Sequence, residues 1–223
     1  MELYLVRHAE SLANIGVEKN SNPDPKLSPR GIEQAECLGK HLSNIHFDKI
    51  YASHLSRALH TAAIIAGYQE GTPLITVDPN LGERGTPIDY EADTEYHKTI
   101  YPNLEYTKKS IEKDYHGDIE RIENPLWEHV FFPAYNETTE VEVHNGTEIR
   151  SNPQKILMVT HASINACILS RLVNFRFDVN MNVFQHNTCV NRFKLFLHNG
   201  AQRTAFISYN DYSHLPEHLC NPY

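Results

Sequence analysis

Cysteine is scarce in this chain, and long apolar runs are missing from it. The four cysteines stand far apart, with no Cys-x-x-Cys pair, so we predict free thiols in a reducing compartment rather than a disulfide framework. No apolar run approaches the roughly 20 residues of a membrane helix. The opening Met1-Glu2 also lacks the basic and apolar regions of a signal peptide. These absences predict a cytoplasmic protein with no membrane partner.

The 14 histidines show no spacing that is typical of a metal site. Neither His-Glu-x-x-His nor a Cys/His zinc pattern is present. His214 and His218 are four residues apart, but Pro216 between them argues against a helical ligand pair. We therefore expect neither a metal ion nor another cofactor.

Positive charge is also in short supply, with 20 Lys and Arg against 28 Asp and Glu and a net charge of −8. Residues 83–150 hold 16 acidic and 7 basic residues, a net −9, whereas the rest of the chain is close to neutral. No basic stripe could replace the counterions of a nucleic acid, so we do not expect a nucleic-acid partner. The acidic stretch is predicted to be mostly a solvated surface.

What the chain does contain is an alternation of short apolar strands and apolar-faced helices. Strands are predicted at residues 3–6, 48–52, 73–77, 155–160, 189–197 and 203–209, the last two joined by Asn199-Gly200. Helices are predicted from Ser28-Pro29 onward, over residues 55–66 and over residues 163–173. This alternation predicts a three-layer α/β/α sandwich with a mostly parallel central sheet, in a single domain that spans residues 1–223.

An acidic insertion at about residues 84–150 interrupts the alternation. Apolar residues from Leu104 to Ile122 follow helical spacing, and residues 138–144 alternate before the turn signal Asn145-Gly146. We predict an insertion of one or two helices and a hairpin that covers one edge of the sheet and the active site.

Arginine and histidine follow three of the predicted strands. Arg7-His8 follows the first strand, Arg57 lies just inside the helix after the second, and His161 follows the strand at 155–160. Ligands of α/β sheets bind beyond the carboxyl ends of strands, and helix N-termini there favour anions. If these strands are neighbours, the four side chains converge into a pocket for a phosphate group.

Five motifs, in this order, resemble those of the histidine phosphatase superfamily, which has the phosphoglycerate mutase-like fold. They are Arg7-His8-Ala9-Glu10, the stretch Leu-Ser-Pro-Arg-Gly-Ile-Glu-Gln-Ala at 27–35, Ser53-x-Leu-x-Arg57-Ala-x-x-Thr61-Ala62, Leu81-Gly-Glu83 and Val159-Thr-His161. The resemblance covers about residues 1–83 and 154–215. Ala9 and Ala162 depart from it, because the family commonly has glycine after both histidines, and we expect their methyl groups to lie beside the pocket.

The resemblance implies a role for each matching residue. His8 would be the nucleophile that becomes a phosphohistidine, and Glu83 would protonate the leaving oxygen and later activate water. Arg7, Arg57 and His161 would bind the phosphoryl oxygens. Asn14 lies where the family often has a polar group near the phosphate. Beyond the resemblance, Arg84 is a candidate substrate contact because it adjoins Glu83.

Three functions are consistent with these residues. The first is a metal-independent phosphatase acting on a small phosphorylated metabolite, with a phosphopeptide as the alternative substrate. The second is a phosphoglycerate-type mutase, which would need more basic residues than the acidic insertion offers. The third is a non-catalytic module that binds a phosphorylated ligand, which the presence of both His8 and Glu83 disfavours. The insertion favours a substrate with a neutral or cationic leaving group, and the oligomeric state is not predicted.

Overall fold

The computed structural model describes residues 1–18, 22, 24–71, 73–83, 94–106, 135–144, 146–173 and 184–221. The strands in this part of the chain are β1 (Glu2–Arg7), β2 (Lys49–Ala52), β3 (Ile75–Val77), β4 (Leu104–Tyr106), β5 (Glu140–His144), β6 (Thr147–Ser151), β7 (Lys155–Thr160), β8 (Val190–His198) and β9 (Ala201–Asp211). The helices are α1 (Pro29–Leu42), α2 (Ser56–Gly67), α3 (Thr94–Ile100) and α4 (Ala162–Leu172). Outside the insertion, the predicted strands and helices are confirmed, with ends that differ by at most two residues.

All nine strands belong to one sheet, in the order β4-β3-β2-β7-β1-β8-β6-β5, with β9 paired to β8. The five strands from β4 to β1 are mutually parallel. Strand β8 runs antiparallel to β1, β6 and β9, and β5-β6 is an antiparallel hairpin. The predicted parallel centre is therefore confirmed, and the antiparallel strands all lie on one side of β1.

Strand β1 separates the two apolar cores by the alternation of its side chains. Tyr4 and Val6 pack in the core that the helices α1 and α2 cover. Leu3 and Leu5 point to the opposite face, where Ile168 of α4 packs. A parallel strand that is covered on both faces needs apolar residues at successive positions, as β1 and β7 have. The result is the predicted three-layer α/β/α arrangement.

The connections that follow β1 and β7 lead to opposite sides of the sheet. After β1 the chain passes through α1 to β2 on one side, and after β7 it passes through α4 to β8 on the other. Such an arrangement leaves a crevice beyond the carboxyl ends of the two strands, where α/β proteins bind ligands. Arg7 and His161 lie at these two ends.

Helix α1 begins against the loop that follows β1. The Ser28 hydroxyl accepts a hydrogen bond from the Gly31 N–H and donates one to the buried Glu10 carboxylate. Arg30 forms an ion pair with the same carboxylate at 3.1 Å. A Cβ atom on Gly31 would lie 2.0 Å from the Glu10 carbonyl oxygen, so only glycine permits this approach. The loop that carries His8 is thereby fixed to the start of α1.

The insertion contains one strand where the sequence predicted a helix. Residues 104–106 form β4, which pairs in parallel with β3, so the prediction of a helix from Leu104 is wrong there. Pairing with β4 provides partners for the backbone groups at the outer edge of β3. Leu104 and Tyr106 also pack onto the apolar core that includes Tyr101. The rest of that predicted helix, and residues 84–93, lie outside the described residues.

The predicted hairpin at the end of the insertion is confirmed. Strands β5 and β6 pair with each other in antiparallel fashion, and β6 also pairs with the last residues of β8. Helix α3, also within the insertion, packs beside α2. In the part of the chain that the structure describes, no helix is long and apolar enough to cross a membrane.

Candidate active site

His8 lies directly after β1 and is 3% exposed. Its backbone N–H donates to the Thr160 carbonyl oxygen at 2.8 Å. Its Nδ1 lies 2.7 Å from the Ala9 carbonyl oxygen. A carbonyl oxygen can only accept, so Nδ1 carries the proton and Nε2 is left with the lone pair. The geometry therefore presents Nε2 as a nucleophile.

The surroundings of His8 keep its ring neutral. Burial lowers the pKa of His8 well below the ordinary histidine value, and the charges of Arg57 and Arg7 lower it further. The hydrogen bond to Ala9 opposes this shift without reversing it. A neutral imidazole with an available lone pair is thus present at neutral pH, as nucleophilic attack requires.

His161 lies at the end of β7, with its ring centroid 5.0 Å from that of His8. Its Nε2 is 2.9 Å from the Ser53 hydroxyl oxygen, which fixes the rotation of the ring. Burial, followed by the charge of Arg57, lowers the pKa of His161 well below its ordinary value. Its Nδ1 is buried and has no hydrogen-bond partner among the described residues.

Arg7 and Arg57 bring two guanidinium groups to the same place. Arg7 Nη1 donates to the Gln185 carbonyl oxygen, and Arg57 Nη1 lies 3.6 Å from a carboxylate oxygen of Asp24. The same carboxylate accepts hydrogen bonds from the N–H and hydroxyl of Ser56, the first residue of α2. Asp24 therefore holds Arg57 at the N-terminus of a helix.

Three nitrogens of this cluster are buried without a hydrogen-bond partner among the described residues. They are Arg7 Nε, Arg57 Nη1 and His161 Nδ1. Buried polar atoms that form no hydrogen bond are rare in folded proteins, because each costs about 1–3 kcal/mol. Such groups beside two cations are the expected lining of a site for an anion with several oxygens, such as a phosphoryl group.

Glu83 is the acidic residue of the cluster and follows the 3-10 turn Pro79–Leu81 after β3. Its Oε1 accepts a hydrogen bond from the Ser163 hydroxyl in the first turn of α4. Its carboxylate partly offsets the lowering of the pKa that burial imposes on Arg7 and Arg57. A carboxyl group is thus held near the cations, where it could exchange a proton with a ligand.

Asn14 and Arg84 are the other two predicted ligand contacts. Asn14 is exposed, and its Oδ1 accepts from the Ser11 N–H at 3.0 Å and the Ser11 hydroxyl at 3.1 Å. The same oxygen lies 3.5 Å from Asn187 Nδ2, so Asn14 borders the loop that carries His8. Arg84 lies outside the described residues.

The alanine that follows His8 is accommodated by packing. Its methyl group lies in a small apolar cluster with Leu27 and Ala35. Its N–H donates to the Thr61 hydroxyl at 3.0 Å, and that hydroxyl donates to the Arg57 carbonyl oxygen. The Ala9 methyl group therefore packs against α1, whereas the sequence predicted it beside the pocket.

Five further residues hold the site together, and the sequence did not single them out. They are Asp24, Ser53, Ser163, Gln185 and Asn187. Ser53 belongs to the third quoted motif and Ser163 lies two residues after His161, so their positions were the available signal. The other three act on partners distant in the sequence, and no local pattern indicates them. Among the described residues, no group of three or more His, Cys, Asp or Glu side chains is placed to hold a metal ion.

Known proteins are similar in sequence to this chain. The family model described as histidine phosphatase superfamily (branch 1) matches residues 3–124. The chain is 30% identical over 188 residues, 78% of its length and 79% of the relative's, to the adenosylcobalamin/alpha-ribazole phosphatase of Escherichia coli strain K12. It is 47% identical to phosphoserine phosphatase 1 of Hydrogenobacter thermophilus, but over only 66 residues, 30% of this chain and 31% of that protein.

The fold is also found among solved structures. Bacillus stearothermophilus YhfR superposes with a TM-score of 0.62 at 21% identity, over 96% of this chain and 98% of YhfR. The similarity extends across nearly the whole length of both chains. It shows that YhfR has the same overall fold as this chain.

Proposed function

The chain belongs to the histidine phosphatase superfamily, and from that premise we propose that it hydrolyses phosphomonoesters without a metal ion, through a phosphohistidine on His8. The proposal rests on one observation. Three buried nitrogens that form no hydrogen bond to the described residues belong to the cluster around His8, a neutral histidine whose Nδ1 is already hydrogen-bonded to a carbonyl oxygen. This is the charge distribution that a phosphoryl group in transfer requires.

In the first step, Arg7, Arg57 and His161 hold the nonbridging oxygens of the phosphate. His8 Nε2 attacks phosphorus while the bond to the ester oxygen breaks, and the Nδ1 proton remains on its bond to Ala9. Glu83, protonated at this stage, transfers its proton to the departing oxygen. The products are an alcohol and a phosphohistidine.

In the second step, a water molecule attacks the phosphorus and the nitrogen–phosphorus bond breaks. The Glu83 carboxylate takes a proton from this water, which restores the carboxylic acid for the next cycle. Inorganic phosphate leaves, and His8 returns to its neutral form. The guanidinium groups stabilise the charge of the transferred group in both steps, a role that a metal ion has in other phosphatases.

The substrate that we propose is a small phosphorylated metabolite. Two relatives are named as phosphatases of small molecules, alpha-ribazole phosphate and phosphoserine. Residues 83–150 carry a net charge of −9, which repels substrates with additional anionic groups. The favoured substrate therefore has a neutral or cationic leaving group. The same charge argues against a mutase, whose substrate must stay bound with two anionic groups.

The test is hydrolysis of p-nitrophenyl phosphate in the presence of EDTA, with the wild type beside His8→Ala. We expect clear turnover by the wild type and a loss of roughly a thousandfold or more in His8→Ala, because no other nucleophile replaces the imidazole. His46→Ala is the matched control, since His46 is exposed ahead of β2. Activity that survives in His8→Ala contradicts the phosphohistidine. An inactive wild type contradicts the phosphatase, and an assay of phosphoglycerate isomerisation then tests the mutase.

A further inference from the structure

A strained turn lies behind the nucleophile, just before β8. Thr188 has a φ of 59°, a left-handed conformation that a β-branched residue seldom adopts. Its N–H donates to the Arg7 carbonyl oxygen at 3.0 Å and lies 3.4 Å from the His8 carbonyl oxygen. Strain of this kind persists only where surrounding contacts maintain it. Here those contacts lead directly to the two residues of the catalytic loop.

Asn187, the residue before Thr188, binds the nucleophile's backbone. It is 1% exposed, and its Nδ2 donates to the His8 carbonyl oxygen at 2.8 Å. On the other side, the His8 N–H donates to Thr160 at the end of β7. The N–H and the carbonyl group of His8 are therefore both hydrogen-bonded. Strand β7 binds the N–H, and Asn187 binds the carbonyl group. The direction in which the imidazole points depends on this contact.

Asn221 fixes the orientation of the Asn187 amide. The Asn187 N–H donates to Asn221 Oδ1 at 3.1 Å, and Asn221 Nδ2 donates back to Asn187 Oδ1 at 2.9 Å. Since a donor faces Asn187 Oδ1, the Nδ2 group must face His8. The segment that carries Asn221 is anchored by Leu219, which is buried and accepts a hydrogen bond from Gln34.

We propose that Asn187 is a positioning residue for His8 and that Asn221, from the C-terminal segment, maintains Asn187 in the orientation that this requires. The inference rests on the proposed function for its effect on catalysis. It adds that the end of the chain takes part in aligning the nucleophile. Asn187 contacts the backbone of His8 and Asn221 contacts Asn187, so we expect both residues to act on the rate of attack and to leave substrate binding intact.

The experiment compares Asn221→Asp and Asn221→Ala with Asn44→Asp, an exposed asparagine in the turn after α1. In Asn221→Asp an oxygen replaces the donor opposite Asn187 Oδ1. The Asn187 amide then turns, and its own oxygen faces the His8 carbonyl oxygen. We expect kcat for p-nitrophenyl phosphate to fall about tenfold in both Asn221 variants, with KM within twofold of wild type. Phosphohistidine formation in rapid-quench experiments should slow by the same factor, while Asn44→Asp matches the wild type.

A purely structural role predicts a different result. Asn221→Asp is nearly isosteric and changes little besides the hydrogen bond. A melting temperature that falls while kcat stays within twofold of wild type overturns the inference. A KM that rises while kcat is unchanged also overturns it. An inactive wild type removes the proposed function, and the nitrogen-15 spectrum of the His8 ring then decides. Ring signals that shift in Asn221→Asp but not in Asn44→Asp support the positioning role, and unchanged signals overturn it.

Discussion

At the scale of single residues, the chemistry of the site depends on which atom of each side chain is already in use. His8 uses Nδ1 on the Ala9 carbonyl oxygen, and His161 uses Nε2 on Ser53, so each ring offers one nitrogen. Glu83 is likewise oriented by the Ser163 hydroxyl. One backbone carbonyl group and two serine hydroxyl groups therefore determine how these three side chains point.

The contact between Ser163 and Glu83 gives a prediction at this scale. Ser163→Ala removes the hydroxyl that orients the proposed general acid, so we expect kcat to fall about tenfold for alkyl phosphates. The fall should be much smaller for p-nitrophenyl phosphate, whose leaving group needs little protonation. Ser170→Ala, farther along the same helix, is the control in both assays. Equal losses on the two substrates would show that Ser163 does not act through proton transfer.

At the scale of elements, the start of α1 determines where the catalytic loop lies. Ser28 and Arg30 bind the Glu10 carboxylate, and Gly31 lets the helix approach the Glu10 backbone. The motif glutamate is thus a structural residue, 3% exposed, that joins the loop after β1 to the next helix. The stability of this junction and the geometry of the site are coupled.

Gly31→Ala tests the junction. Its methyl group would lie 2.0 Å from the Glu10 carbonyl oxygen, so we expect the free energy of unfolding to fall by about 3 kcal/mol and the activity to fall with it. Gly67→Ala is the matched control, because a Cβ atom there meets nothing within 4 Å. That control should be neutral or slightly stabilising. Urea unfolding measures both, and equal behaviour of the two variants would contradict the close approach.

At the scale of the whole molecule, the fold buries several histidines in their neutral form. Burial lowers the pKa of His8 and His161 strongly. Burial, with the neighbouring His97 and Arg57, lowers the pKa of His54 to about 4, and burial with His41 lowers that of His214 to about 4. Below pH ~6.5 the unfolded chain binds protons at these histidines while the folded protein does not. Acid therefore favours unfolding.

The predicted stability follows from this difference in proton binding. The free energy of unfolding should fall as the pH drops from about 6.5 towards 4. His54 alone should contribute on the order of 3 kcal/mol to that fall. His54→Gln should flatten the curve, while His46→Gln, at an exposed position, should leave it unchanged. Urea unfolding at a series of pH values measures this, and a wild-type curve that is flat to pH ~4 would refute the account.

The sequence by itself determined the order of strands and helices, because each short apolar run and each amphipathic stretch follows a local rule of spacing. It also indicated His8, Arg7, Arg57 and His161, because these residue types recur at strand ends, where α/β proteins bind ligands. The resemblance of its motifs to those of a known family also indicated Glu83. Each of these inferences depends on residues that lie close together in the chain.

Only the tertiary structure decided which strands are neighbours and which side chains meet. Leu104 is the first of the apolar residues at helical spacing, but residues 104–106 pair with β3, because backbone groups at a sheet edge outweigh a weak local preference. The contacts from Asp24 to Arg57, from Ser163 to Glu83 and from Asn221 through Asn187 to His8 join parts of the chain that no spacing rule relates. Such contacts form only when the sheet has brought distant loops to one crevice, so the alignment of His8 is a property of the folded molecule.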